Sequence, residues 1–435
     1  MNSKELVKVS MALWVPLTWY ALASSRSLYR WLYPEGNSLV NSGYIEGNPL
    51  DRAVYSALIV AGLLILFKRK IDWSNLIRAN AWILLLFIYM GLSIFWSEFR
   101  DVSFKRLIKA AGDLIMVLVV LTEINARHSV STLLKRCFYV YLPLSIIMIK
   151  YFRTIGVAWS RDGMEEMWVG VSTHKNVLGE VCMISAIFLI WNMTRDRSWK
   201  NILVNLIFIS MSLWLLNGSN TSHSSTSIFV FLIGVLMLIS FYFMRSSLEH
   251  LRRNIIIFVF ICGFLVIISQ LTLAAFTNKT LLSASVEASG RDMTFTGRTE
   301  LWTDMLNIAS ENPVLGVGYG SFWIGDVSNN LWEKHPWKPE QGHNGYIDVY
   351  VELGLVGIFI LAGVIICAFK NIMKGNLIDF DVFRLRIIFL TMILFHNITE
   401  SSFLRGTHNL WFIFLLVVVS APRTFQPQIC RSGNV

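Results

Sequence analysis

Apolar stretches of membrane length recur from one end of this chain to the other, and that recurrence leaves few folds open to it. Hydrocarbon offers backbone N–H and C=O groups no partner, so a spanning chain must be helical or a closed barrel. A spanning helix needs roughly 20 apolar residues. Such runs lie near residues 9–25, 53–67, 81–96, 107–121, 137–152, 177–193, 202–216, 228–244, 255–276, 346–369, 385–398 and 410–419. The expectation is an all-α polytopic membrane protein of about twelve spans. Only 15% of residues are charged, against about 25% in soluble domains. One integral domain is expected over 1–435, with a long polar loop over 277–344 between the ninth and tenth spans and the C-terminal spans over 345–435. A short helix is expected inside that loop, near 299–310.

Lysine and arginine in short loops set orientation. Lys68, Arg69, Lys70, Arg127, Lys135, Arg136, Arg195, Arg197, Lys200, Lys370 and Lys374 all fall on one side, which reads as cytoplasmic. The 277–344 loop then faces outward. The net charge of +10 is spread over these turns, so it anchors the chain in lipid and does not point to nucleic acid. The first apolar run could pass for a signal peptide ending near Ala21-Leu22-Ala23; with so many later spans, a retained helix is expected. Cys137, Cys182, Cys262 and Cys367 lie in apolar runs and Cys430 in the tail, and no spacing resembles a zinc site.

Polar residues in or beside the spans are the functional candidates, because charge there is expensive. Lys109 and Asp113 sit four apart, as a neutralising pair or a functional one. Arg100, Lys105 and Arg106 gather at the outward mouth of the same helix, where topology does not call for them. Arg153, Arg161, His174 and Lys175 occupy the next outward loop, which ends in THKN against an apolar helix. A helix start with a lysine favours anions, and capping by Thr173 or Asn176 is the simpler alternative. The segment NGSNTSHSST, 217–226, is a turn or a source of hydrogen bonds to a sugar. Asp348 and Glu352 lie four apart at the outward end of the tenth span; His396, Glu400, Arg405 and His408 crowd the last outward loop.

VGYG, 317–320, has the letters of a cation filter. More than twenty polar positions separate it from the next span, so that reading is rejected. GxGxG without a preceding strand and a βαβ unit is no dinucleotide fingerprint either. Gly318 and Gly320 read as a flexible turn that brings backbone N–H groups close to a ligand. Trp159, Trp168, Trp302, Trp323, Trp332 and Trp337 in the outward loops suit either the lipid interface or the face of a sugar ring.

The ordered set WSEFRDVSFKR, THKNVLG, GR at 297–298, LGVGYGSF, HN at 343–344 and ELGLVG resembles the O-antigen ligase and polymerase family of bacterial membrane glycosyltransferases. The THKN element is most similar to members that polymerise exopolysaccharide. The resemblance covers nearly the whole chain and implies a type C glycosyltransferase-like helical bundle in the bacterial inner membrane, its site facing the periplasm. It implies a donor glycan on undecaprenyl pyrophosphate and an acceptor hydroxyl on another lipid-linked glycan or on lipid A–core. Other polysaccharide assembly proteins are implied partners. With no paired carboxylates of the DxD kind in the outward loops, a metal-independent and cofactor-independent enzyme is expected, its leaving pyrophosphate held by arginine and lysine. Arg298 matches the GR motif and His343 the HN motif; these are the catalytic candidates, Arg298 as the first choice for the pyrophosphate clamp and His343 as the group that orients or deprotonates the acceptor. Arg106, Arg161, His174, Lys175, Arg405, Gly318, Gly320 and Glu352 are the candidates for binding pyrophosphate and glycan. His174 is the alternative base. Glu352 and Glu400 match acidic positions to which the resemblance gives no chemistry. The competing classes are a flippase of lipid-linked glycan, which predicts internal repeats, and a non-catalytic assembly scaffold.

Overall fold

The computed structural model describes residues 9–33, 48–160, 163, 165–219, 222–243, 296–375 and 379–420. The expected span over 255–276, the first part of the long loop, Arg161, Cys262 and Cys430 lie outside the described residues. The helices are α1 (Trp14–Ser24), α2 (Pro49–Lys68), α3 (Trp73–Ala79), α4 (Ala81–Ser93), α5 (Arg100–Leu121), α6 (Ala126–Tyr151), α7 (Lys175–Arg195), α8 (Trp199–Asn217) and α9 (Ser225–Phe243). They continue as α10 (Thr296–Ala309), α11 (Gly325–Lys334), α12 (Gly345–Gly375), α13 (Phe380–Thr399) and α14 (Asn409–Val418). A two-stranded antiparallel hairpin, β1 (Val157–Trp159) with β2 (Glu166–Trp168), sits between α6 and α7.

Among the described residues, seven helices are long and apolar enough to cross a membrane, or eight if the bent pair Trp73–Ala79 and Ala81–Phe95 forms one span. The expected twelve are thus matched in part. The first and last expected runs form helices of 11 and 10 residues, short of a bilayer. At 22 residues α5 is about 33 Å long, but Arg100, Asp101, Lys105, Arg106, Lys109 and Asp113 make its N-terminal half polar. The 82° bend between α3 and α4 is held by Asn80, whose side chain exchanges two 2.8 Å hydrogen bonds with the backbone of Ser420 beyond α14.

Burial sorts the helices. In α7 and α13, 78% of the apolar window is buried inside the protein, against 17% in α2 and 22% in α8. The outer helices present leucine and phenylalanine to lipid, whereas α7 and α13 are apolar all round because they run through the middle. α1 belongs to this core: Trp19 and Tyr20 are buried, and Trp19 Nε1 donates to Asp113 Oδ1 at 2.6 Å. A second apolar cluster lies in the long loop, where Leu301, Trp302, Met305, Phe322, Trp323 and Leu331 pack on Ile347 and Val351 of α12.

The glycine run meets a break in α12. Gly354 leaves the helix at φ 63°, which frees backbone groups around it. The run of turns after α10 takes them up: Leu355 N–H donates to Pro313 O at 2.9 Å, Val356 N–H to Val314 O at 3.2 Å, and Gly318 N–H to Glu352 O at 2.9 Å. Irregular backbone at this depth survives because it is paired with protein. The expected flexible turn is instead a packed one.

Candidate active site

The N-terminal ends of α7, α10 and α12 and the C-terminal end of α13 converge on Glu400, the residue after α13. Its side chain is 4% exposed and takes three contacts of 3.1 Å or shorter. Arg298 Nη2 donates to Oε1 at 3.1 Å, Asn176 Nδ2 to Oε1 at 2.7 Å, and His343 Nδ1 lies 2.9 Å from Oε2. Arg298 also donates through Nη1 to Thr399 O at 2.6 Å. Burial alone would raise the Glu400 carboxyl, but His343 and Arg298 outweigh it and hold the group well below the usual carboxylate range. The site therefore centres on a buried carboxylate, flanked by an imidazole and a guanidinium.

Each partner is placed by its local sequence. Arg298 lies in the first turn of α10. Trp302 follows one turn on, and its Nε1 donates to Gly342 O at 2.6 Å, pinning the segment just before His343. Gly342 N–H in turn donates to Asp348 at 3.0 Å. His343 itself has φ 49°, a left-handed conformation unusual for a residue with a Cβ. Lys338, Leu404 and Thr407, with φ of 46°, 58° and 61°, lie in the same two loops. Backbone strain gathered in this way is characteristic of functional sites. Trp337 packs against the His343 ring, 5.6 Å between centroids. With Nδ1 turned to Glu400, Nε2 is the nitrogen left to meet a substrate hydroxyl.

His174 is the N-cap of α7: its Nδ1 accepts from Asn176 N–H at 3.2 Å, so the cap is the histidine and not Thr173 or Asn176. Burial lowers its basicity, partly offset by Glu400. Lys175 Nζ donates to Ser222 Oγ at 2.5 Å, which ties the serine-rich 217–226 segment to the site. His174, Lys175, Arg298 and His343 are thus brought together, with Asn176 added.

A cavity of about 220 Å³ opens beside this centre. Arg106, Lys109 and Arg405 line it, opposite Glu340, Asp348 and Glu352. Arg106 Nη1 donates to Gly320 O at 2.6 Å, and Gly320 N–H donates to Glu352 Oε2 at 3.0 Å. A Cβ at Gly320 would stand 2.7 Å from Arg106 Cδ. The amides of Gly318 and Gly320 are therefore engaged by Glu352, and these glycines shape the wall rather than present free N–H groups. Gln341 links the two parts: Arg405 donates to its Oε1, and its Nε2 lies 3.3 Å from His343 Nδ1 and 3.5 Å from Glu400 Oε2.

Two expectations are corrected here. Lys109 and Asp113 do not pair: the Asp113 carboxylate accepts from Trp19 Nε1 and from Thr407 N–H at 2.8 Å, and the lysine lines the cavity instead. Half of the loop tryptophans are held by indole hydrogen bonds within the loop and to α12: Trp302, Trp323 and Trp332 donate to Gly342 O, Asp348 Oδ1 and Pro339 O. His335 is likewise structural, 3.0 Å from Asp304. What sequence reasoning missed is the centre itself. Glu400 was legible as an acid in a crowded loop and at a position acidic in the resembling family, without a role, and Gln341 not at all. Among the described residues, no group of three or more His, Cys, Asp or Glu side chains has metal-holding geometry.

A sequence model of the O-antigen ligase family matches residues 208–362, from α8 through the break in α12. That region holds Arg298, the glycine run, His343 and Glu352. The chain is also 22% identical over 301 residues to the exopolysaccharide production protein ExoQ of Rhizobium meliloti (strain 1021). The match covers 67% of this chain and 65% of that protein's length. Taken with the helical membrane architecture, these findings support an O-antigen ligase/polymerase-like family for this chain.

Proposed function

We propose that the protein is a membrane glycosyltransferase that acts on undecaprenyl-pyrophosphate-linked glycans at the outer leaflet of the bacterial inner membrane and joins repeat units in exopolysaccharide or O-antigen synthesis. The observation that carries this reading is the buried Glu400 carboxylate joined to both His343 and Arg298 beside a cation-lined cavity. In the reaction, the acceptor hydroxyl attacks the anomeric carbon of the donor glycan. The bond from that carbon to the pyrophosphate oxygen breaks, and its electron pair leaves with the phosphate. The acceptor proton passes to His343 Nε2, and the imidazolium is stabilised by Glu400 before it returns the proton to solvent. Glu400 fixes the tautomer by accepting from Nδ1. Arg298 holds Glu400 in place, a positioning role that its two contacts support, while Arg106, Arg405 and Lys175 meet the pyrophosphate charge. His174, His343's rival as base, spends its Nδ1 as a helix cap.

The likeness to an exopolysaccharide production protein supports polymerisation; the description of the matching family supports ligation to lipid A–core as the second reading. The purified protein, supplied with undecaprenyl-pyrophosphate repeat units with and without lipid A–core, separates them. Longer glycans on the polyprenyl carrier are the expected product. Glycan moved only to lipid A–core would replace polymerase with ligase. No transfer to either acceptor would overturn the enzyme reading in favour of transport or scaffolding.

A further inference from the structure

Two ionic side chains of the cavity, Lys109 and the exposed Glu340, make no hydrogen bond or ion pair with any described residue. The other ionic groups are engaged by protein: Arg106 by Gly320 O, Arg405 by Gln341, Glu352 by Gly320 N–H, and Asp348 by Gly342 N–H, Trp323 Nε1 and Ser401. Lys109 makes no hydrogen bond or ion pair with any described residue. Its helical neighbour Asp113, one turn on and the natural counter-ion, is turned to the other side by Trp19 and Thr407. That diversion is built in: both Asp113 oxygens accept short hydrogen bonds in a fully buried position. Asp51 acts on the lysine electrostatically, without an ion pair between them. A half-buried ammonium next to a guanidinium is costly unless an anion meets it. The cavity is where that anion can come from.

We propose that Lys109 is a substrate-contacting residue that takes an oxyanion of the lipid-linked glycan in this cavity; the substrate class rests on the function proposed above. The oxyanion belongs either to the carrier pyrophosphate or to an acidic substituent on a sugar, since a lysine binds both as a point charge. Arg106, one turn before Lys109 on α5, and Arg405 add charge of the same sign along the cavity; of its three carboxylates, Glu352 and Asp348 are taken up by backbone N–H donors and Glu340 is exposed.

The test uses the full chain in detergent, with Lys109→Met and Lys109→Arg beside the wild type. Inorganic pyrophosphate, a glucuronate-bearing disaccharide and a neutral disaccharide are titrated in turn, and binding is read by calorimetry. Melting temperature confirms that each variant is folded. The expected result is binding of at least one anionic probe by the wild type, weakened about tenfold or more in Lys109→Met, a loss of roughly 1.4 kcal/mol, and largely restored in Lys109→Arg. Loss confined to pyrophosphate assigns the carrier; loss confined to the glucuronate assigns the sugar. Equal affinity of wild type and Lys109→Met for both anions would overturn the proposal, as would a wild type that binds neither. Binding needs no turnover. A wild type that transfers no glycan therefore overturns the proposed function, whereas transfer with an unchanged Lys109→Met affinity overturns only this inference.

Discussion

Replacing Glu400 by glutamine keeps the shape of the site and removes its charge. The carboxylate now receives Arg298 and Asn176 on Oε1 and His343 on Oε2. A glutamine amide offers one oxygen and one NH₂. The oxygen is required on the side of Arg298 and Asn176, both donors, so the NH₂ must face His343 Nδ1. That forces Nδ1 to accept and moves the ring proton to Nε2, the nitrogen that should take the acceptor's proton. A catalytic histidine in the wrong tautomer costs on the order of 10⁴ in rate. Stability also falls, because Arg298 loses a buried counter-charge, a change of about 3–5 kcal/mol when one partner of a fully buried pair is removed. Arg298 is 20% exposed and keeps Thr399 O, so the expected loss is nearer 2 kcal/mol. The assay is single-turnover extension of lipid-linked repeats, resolved by glycan length, beside a thermal melt in the same detergent. A Glu400→Gln protein that extends glycan within tenfold of the wild type would refute the tautomer argument.

Three further outcomes are expected. Gly320→Ala should reduce transfer by one to two orders of magnitude, because the new methyl drives Arg106 from its 2.6 Å contact and Gly320 is at φ 67°; a kinetic comparison at saturating substrate checks it. Trp302→Phe should cost about 1 kcal/mol in a denaturant or thermal series and slow transfer, since the 2.6 Å bond that pins Gly342 next to His343 is lost. Stability should be flat above about pH 6.5 and fall below it. His408 is lowered from 6.5 to about 3 by burial, so the unfolded chain binds the extra proton in that window, with a slope of at most about 1.4 kcal/mol per pH unit, reduced by the 17% exposure of its ring. Glu400 is depressed, so its contribution is intact above the usual carboxylate range and is lost progressively below it, down to its lower folded-state value; melting temperatures from pH 8 to 4 should show the histidine's fall, with the carboxylate's loss setting in only at the acid end.

The helices were legible because apolar runs of fixed length have one cheap structure in lipid, and most expected spans fall within two to eleven residues of a helix end. α5 was less so, since its N-terminal half is charged and reads as loop. The motifs GR, THKN and HN were legible as separate elements, and the structure joins them. Their junction was not legible, because Glu400 lies 102 positions from Arg298 and 224 from Asn176. No periodicity says which helices are neighbours. The i,i+4 spacing of Lys109 and Asp113 left a neutralising pair and a functional role open for the same reason: Trp19, 94 positions away, takes the carboxylate. The glycine run looked flexible because its partner, the break at Gly354, is visible only once α12 is folded.

The central claim is that His343, held by Glu400, takes the acceptor's proton. Its most direct test is the single-turnover rate of glycan extension for the wild type, His343→Ala and His174→Ala across pH 5 to 9. The account predicts a loss of at least 10² for His343→Ala, the ordinary contribution of a general base, with the pH dependence of the rate abolished and His174→Ala retaining it. A His343→Ala protein with wild-type rate and pH profile, or a His174→Ala protein that loses both, would contradict it.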